Sequence, residues 1–203
     1  FLYASSAAFA ELWGVTLLQH AYHLTHQQAA NASIMIFIGW GVGGPLTGWV
    51  AGKVQNRRPL RMFSAISGGV LMSIVLYSSS FSYIMLSSIL FVYGMTNSGL
   101  MLAYATAGEI EPSEIAGTSI AFSNMASVIV GAALQPIIGG LMDSHWDGAL
   151  DAVGHRIYSP EMMREVLFLL PICFAISAVF AWFVPESKRW VCHGDANHPK
   201  GNK

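Results

Sequence analysis

The sequence predicts an all-α integral membrane fold of six transmembrane helices, and three observations carry the prediction. The 203 residues are 54% hydrophobic and 10% charged, whereas soluble domains carry about a quarter charged residues. Six apolar stretches each approach the roughly 20 residues that a helix needs to cross a hydrocarbon core. Lysine and arginine concentrate in alternate connections between those stretches, as in multi-pass membrane proteins. The net charge of −1, with no basic face, argues against a nucleic-acid partner.

In order, the helices are read at 1–20, 32–52, 62–81, 83–107, 118–142 and 166–184, a bundle over 1–187 followed by a polar tail at 188–203. Helix is the only plausible form for each, because backbone groups in lipid must be satisfied internally. The opening FLYASSAAFAELWG has no initiator Met, basic segment or small-residue cleavage site. It reads as the inside of a helix in a longer protein rather than as a signal peptide. Its one acid, Glu11, is the only ionisable group well inside a span, where a charge costs on the order of 3 kcal/mol.

HAYHLTHQQAAN, without Lys or Arg, is the loop to the second helix. That helix carries Gly39, Gly43, Gly44, Gly48 and Gly52 around Pro45. Glycines spaced by four make a face on which another helix packs closely. KVQNRRPLR leads to the third helix, and almost nothing separates the third from the fourth. The fourth places Tyr93, Asn97 and Tyr104 on one arc at 100° per residue. The fifth, after the acidic EIEPSEIAG, holds Ser123, Asn124 and Ser127, and its Pro136-x-x-Gly139 answers Pro45-x-x-Gly48 of the second. Interruptions at corresponding places in two three-helix sets that run oppositely through the membrane point to a transporter built from inverted repeats. SHWDGALDAVGHRIYSPEMMRE precedes the sixth helix. Eight of the ten basic residues fall on the side of KVQNRRPLR and the tail, so that side, with both chain ends, is expected in the cytoplasm.

The chemistry-bearing residues are few. Glu11 reads as a proton-coupling carboxylate or a counter-charge for a cationic solute, with pairing to a neighbouring helix as the alternative. Asn97 and Tyr104 are candidates to hydrogen-bond a solute, and Tyr93, Asn124 and Gln19 join that set; for the polar stripes, interhelical packing is the competing reading. Trp13 either walls the same cavity or packs. His20, His23 and His26 lack a carboxylate or thiol partner at metal-ligand spacing, so no metal is expected. Glu109, Glu111 and Glu114 form a solvated acidic run or pair with Lys53 or Arg57. Cys173 and Cys192 stand in unlike settings and are expected as free thiols. G-x-S-x-G, HExxH and Walker A patterns are absent, so neither catalysis nor a cofactor is expected.

GWVAGKVQNRR, residues 48–58, resembles the loop signature G-x-x-x-D-x-x-G-x-x-R-[RK] of the major facilitator superfamily. It differs at Gly52, where the signature has Asp, and at Gln55, where it has Gly. EIEPSEIAGTSIAFSNM with LQPIIGGLMD resembles that family's tenth-to-eleventh helix junction, and FVPESKRW its exit from helix twelve. LWGVTLLQHAYHL is similar to the seventh helix of a proteobacterial branch that includes phagosomal and organic-solute transporters.

The resemblance implies the carboxy-terminal six-helix half of a twelve-helix fold with a 3+3 inverted repeat. It further implies a bacterial inner membrane and transport of a small polar or organic solute by alternating access, with proton symport. The missing amino-terminal half would be the protein partner. In the family the loop Asp pairs with loop arginines and helps hold the outward-open state. Here Gly48 keeps the glycine that opens the loop, and Lys53, Arg57 and Arg58 keep its basic character, so that the three cations can still contact phosphates or helix C-termini. A self-associating six-helix channel and a non-transporting membrane sensor are the alternatives.

Overall fold

Helix boundaries follow from local capping chemistry in the computed structural model, which describes residues 1–54, 56–78, 80–149, 156 and 158–184. The helices are α1 Leu2–Ala8, α2 Gly14–Tyr22, α3 His26–Lys53, α4 Arg58–Tyr77, α5 Tyr83–Asn97, α6 Leu100–Ile110, α7 Ala116–Ser144, α8 Pro160–Leu167 and α9 Leu169–Phe183. A π-helical turn, Phe9–Trp13, joins α1 to α2. Gln55, Cys192, the segment PESKRW and the tail 188–203 lie outside the described residues.

The second membrane segment begins at His26, earlier than hydropathy suggests. Thr25 starts it with a reciprocal cap: its Oγ1 accepts from the Gln28 N–H at 3.3 Å, and Gln28 Oε1 accepts from the Thr25 N–H at 3.1 Å. This is a capping box, which satisfies two otherwise unpaired donors. His23 ends α2 in the left-handed region at φ 54°. HAYHLTHQQAAN is therefore mostly helical, with a tight turn in its middle. Likewise α4 starts at Arg58 with Pro59 in its first turn, where a missing N–H costs nothing. That start draws Arg58 and Arg61 of KVQNRRPLR into the helix.

Neither PxxG sequence interrupts its helix. Pro45 and Pro136 sit inside continuous α3 and α7, so the expected breaks are absent there. The breaks fall elsewhere: at the π turn, at Ser98–Gly99 between α5 and α6, and at Phe168 between α8 and α9. At Ser98–Gly99 neighbouring helices take up the freed polar groups. Ser64 Oγ of α4 donates to the Thr96 carbonyl at 2.5 Å, and Thr47 Oγ1 of α3 meets Ser98 Oγ at 2.6 Å. Such repair is what lets a broken helix stay at membrane depth.

Packing is most extensive between α3 and α5, then between α4 and α9 and between α1 and α7. Backbones touch in the α3–α5 contact. A methyl group on Gly39 would lie 2.2 Å from the Phe91 carbonyl oxygen, and one on Gly94 would lie 2.1 Å from that of Ile36. The Gly39–Gly43 pair is thus the packed face of α3. Gly44, Gly48 and Gly52 meet nothing within 4 Å, so the longer glycine stripe is an open face in this chain. The core between the helices is filled by Phe9, Leu17, Leu18, Ile36, Met72 and Phe174, among others.

Five helical segments are long and apolar enough to cross a membrane: His26–Lys53, Arg58–Tyr77, Tyr83–Ile110, Ala116–Ser144 and Pro160–Phe183. The first predicted span differs from these. It is three consecutive segments of 7, 5 and 9 residues, which together approach the roughly 20 that a crossing requires. Large apolar side chains such as Trp49, Phe63, Ile84, Phe122 and Phe183 are exposed around the outside. That surface suits lipid and would be an aggregation liability in water. At the end of α7, Asp143 pairs with Arg156 of the following loop and accepts from the Tyr158 hydroxyl at 2.8 Å, while the Arg156 guanidinium lies 4.8 Å from the centre of the Trp146 ring.

Candidate functional site

The π turn places a carboxylate on the open side of the bundle. In it the Gly14 N–H reaches back to the Phe9 carbonyl, one residue further than in an α-helix, a geometry that recurs at functional sites. Gly14 is required there, since a Cβ would lie 2.5 Å from the Phe9 carbonyl oxygen. Glu11 is exposed in this turn. Its Oε2 accepts from Gln135 Nε2 of α7 at 3.2 Å.

Gln135 is the middle of a stripe on α7 formed by Gly131, Gln135 and Gly139, and each member carries a residue of the first span. The Tyr3 ring lies over Gly131, 3.4 Å from where its Cβ would be, and the Trp13 ring lies over Gly139 at 3.6 Å. Trp40 of α3 stacks on Tyr3 with ring centroids 6.2 Å apart. The Tyr3 hydroxyl is in electrostatic range of both Glu11 and Tyr104. Trp13 Nε1, Trp40 Nε1 and the Tyr104 hydroxyl are buried polar atoms with no hydrogen-bond partner among the described residues.

Glu11, Trp13 and Tyr104 are thereby gathered into one neighbourhood, together with Tyr3, Trp40 and Gln135, which the sequence reading did not single out. Tyr93 and Asn97 are placed differently. Tyr93 is fully buried, donates to Ser6 Oγ at 3.2 Å and meets the Phe174 ring edge-on at 6.0 Å. Asn97 is buried as well and donates to the Tyr93 carbonyl at 2.9 Å, with its Oδ1 facing Gly68 of α4. Tyr93 thus bridges α5 to α1 inside the core, whereas Asn97 bonds within its own helix and its Oδ1 has no hydrogen-bond partner among the described residues. The single arc that joined them to Tyr104 fails because the Ser98–Gly99 turn intervenes and resets the helical phase.

Gln19 lies toward the α2–α3 turn, with its Oε1 3.4 Å from His26 Nδ1, well along the span from Glu11. Asn124 is exposed on α7, roughly 16 Å from Gln135 along the axis at 1.5 Å per residue. Among the described residues no group of three or more His, Cys, Asp or Glu side chains is placed to hold a metal, His20, His23 and His26 included.

A second constellation occupies the α3–α4 turn. Arg57 Nη1 donates to both carboxylate oxygens of Glu109 on α6, each at 3.0 Å, with side chains 8% and 24% exposed. Arg61 donates to Thr106 Oγ1 at 3.4 Å and to the Val184 carbonyl at 3.2 Å. Lys53 Nζ lies 3.6 Å from the centre of the Trp49 ring, and the Arg58 guanidinium lies 5.2 Å from that of Trp182. Arg57 of this turn is therefore paired with an acid from another helix, and of the two readings of the acidic run, pairing holds for Glu109.

Removing one partner of this largely buried pair leaves the other uncompensated. Because Glu109 keeps some contact with water, Arg57→Leu or Glu109→Leu alone is expected to cost about 2 kcal/mol, less than a fully buried pair loses. The double substitution is expected to recover most of that loss. A thermal-unfolding double-mutant cycle in detergent measures it, and strictly additive losses would show that the two side chains do not interact.

No protein-family model matches the chain, and a search of curated proteins returns no match. Among solved structures, the chain is similar to the xylose transporter XylE from E. coli in a partially occluded, inward-open conformation. The TM-score is 0.67 at 17% sequence identity, over 96% of this chain and 49% of that one. The likeness establishes a fold shared with half of that transporter, and the chain spans about half the length of the protein it matches.

Proposed function

We propose that this chain is the carboxy-terminal six-helix half of a secondary active transporter that moves a small polar or organic solute across a bacterial inner membrane by alternating access, coupled to a proton gradient. The observation that carries the reading is Glu11: an exposed carboxylate in a π turn midway along an apolar span, on a fold shared with half of a transporter. A charge at that depth is costly enough that its presence points to a solute or ion path.

The packing supports a 3+3 repeat. Take α1, the π turn and α2 as the first span, α3 as the second, α4 as the third, α5–α6 as the fourth, α7 as the fifth and α8–α9 as the sixth. A shift of three spans maps the α3–α5 contact onto α7–α1, α2–α3 onto α6–α7, α4–α5 onto α9–α1, and α4–α9 onto itself. The first and fourth spans, equivalent under that shift, are both broken near their middles. Breaks in equivalent helices are where transporters of this kind bind their cargo.

In this reading the second six-helix half seats on α3 and α7, where Gly44, Gly48, Gly52 and Gly140 leave backbone open and sliding contacts meet few side chains. The positive-inside asymmetry puts the α3–α4 turn in the cytoplasm. There the Arg57–Glu109 pair clamps that turn to the fourth span, so that the half moves as one body while the cavity changes sides. Glu11 binds and releases the coupling proton.

The test is solute flux into proteoliposomes carrying the full-length protein, with and without an imposed pH gradient. Gradient-dependent flux that vanishes in Glu11→Gln agrees with the proposal. Flux that follows only the solute's own gradient would favour a channel, and binding without flux a sensor.

A further inference from the structure

We infer that the solute carries a protonated or quaternary amine, seated against Glu11 between the faces of Tyr3 and Trp13. The inference deepens the transport proposal and rests on it. Three features of the site carry it.

First, the charge at Glu11 is uncompensated. Its hydrogen bond comes from a neutral amide, Gln135 Nε2, and among the described residues no lysine, arginine or histidine lies within ion-pair distance. The bond occupies Oε2 and leaves Oε1 without a donor among the described residues.

Second, aromatic rings bracket that charge at regular spacing. Tyr3, Glu11 and Trp13 rest on Gly131, Gln135 and Gly139 of one helix, so each ring is offset from the carboxylate's anchor by about 6 Å at 1.5 Å per residue. A cation within about 6 Å of a ring face is attracted by the negative face of the π system. A Cβ at 131 or 139 would stand in ordinary van der Waals contact with the ring beside it, at 3.4 Å and 3.6 Å, so each ring lies directly against the helix. Trp40 extends the wall behind Tyr3.

Third, the field has one sign. Ring faces and carboxylate both repel an anion, and among the described residues Glu11 is the one charged group in this neighbourhood. Neutral donors are present as well: Gln135 Nε2 donates to Glu11, and Trp13 Nε1, Trp40 Nε1 and the Tyr104 hydroxyl are buried with no partner among the described residues, so preference for an amine over a neutral polyol rests on the carboxylate charge and the rings.

One carboxylate holds a proton or an ammonium group but not both charges at once. Coupling at this site therefore takes the form of exchange, a proton leaving Glu11 as the amine arrives, rather than the symport that family resemblance implies.

The experiment is calorimetric titration of the full-length protein in detergent with choline and with 3,3-dimethylbutan-1-ol, its uncharged isostere. Choline is expected to bind at least about tenfold more tightly than the isostere. Glu11→Gln is expected to erase the difference, Trp13→Leu to weaken choline binding about fivefold and Trp13→Phe to restore most of it, since a ring face is what the cation needs. The isostere comparison uses the unaltered protein, so misfolding of a variant does not rescue the inference. Equal binding of the two compounds, or no binding of choline, overturns it. Either result would leave the transport proposal standing wherever pH-gradient-dependent flux of another solute is seen, whereas absence of all such flux would overturn both.

Discussion

Glu11→Gln is expected to remove the response of solute flux to a pH gradient, reducing gradient-driven flux in proteoliposomes at least a hundredfold while leaving the protein folded. The substitution is nearly isosteric, and the side chain is exposed. A glutamine at position 11 still offers a carbonyl oxygen to Gln135 Nε2, which now donates to Glu11 Oε2 at 3.2 Å. What disappears is the carboxylate of that neighbourhood, the group that takes up and releases the coupling proton in this account. Residual flux in the variant should follow the solute's own gradient and be indifferent to pH. The measurement is radiolabelled flux at fixed solute concentration with the gradient imposed, absent and reversed. Flux in the variant that still follows the gradient would remove Glu11 from the coupling mechanism.

Gly94→Ala is expected to destabilise the bundle by more than about 2 kcal/mol and to abolish accumulation of folded protein, although alanine is the better helix former. Propensity alone favours the substitution by about 1 kcal/mol. Against that, the new methyl group would lie 2.1 Å from the Ile36 carbonyl oxygen and 2.9 Å from its carbonyl carbon. Those are backbone atoms, so no rotamer change relieves the overlap and α3 has to move away from α5. Overpacking of that kind typically costs 1–3 kcal/mol and occasionally more, and it falls on the most extensive contact in the fold.

Gly48→Leu makes the informative contrast. Nothing lies within 4 Å of Gly48, so folding of this half should be unaffected. If the second half seats on that face, flux should fall severalfold. Fluorescence-detected size exclusion after heating ranks both variants against the parent. A Gly94→Ala protein as stable as the parent would mean that α3 and α5 are not in backbone contact.

Hydropathy made the membrane-spanning segments legible, because a lipid-facing helix has no freedom to be polar over its length. Helix ends were less legible. Hydropathy sees the lipid boundary, whereas Thr25, Pro59 and Ser159 set helix starts by hydrogen bonding and backbone geometry in the polar zone beyond it. The interruptions were misjudged for a related reason. Proline draws attention as a breaker, yet Pro45 and Pro136 are accommodated in α3 and α7. The turns that do interrupt helices, at Phe9–Trp13 and Ser98–Gly99, are stabilised by contacts to other helices that a linear pattern does not display. The phase of a helix beyond such a turn is lost, which is why Tyr93 and Asn97 went to the core while Tyr104 came to the Glu11 neighbourhood. Glu11 itself was legible as a lone acid in an apolar run. Its partner Gln135 was not, since it sits 124 positions away on a helix whose glycines read equally well as general packing.

The most direct test of a carboxylate alternately open to the two sides of a membrane is the accessibility of position 11. In full-length protein carrying Cys173→Ala and Cys192→Ala, a Glu11→Cys substitution is labelled in sealed vesicles of known orientation with a membrane-impermeant maleimide added to one side at a time. Asn56→Cys in the α3–α4 turn serves as the cytoplasmic reference. Alternating access predicts that position 11 is labelled from either side, with position 56 reached only from the cytoplasmic one. Labelling of position 11 from neither side, or of position 56 from the outer side, would contradict the account.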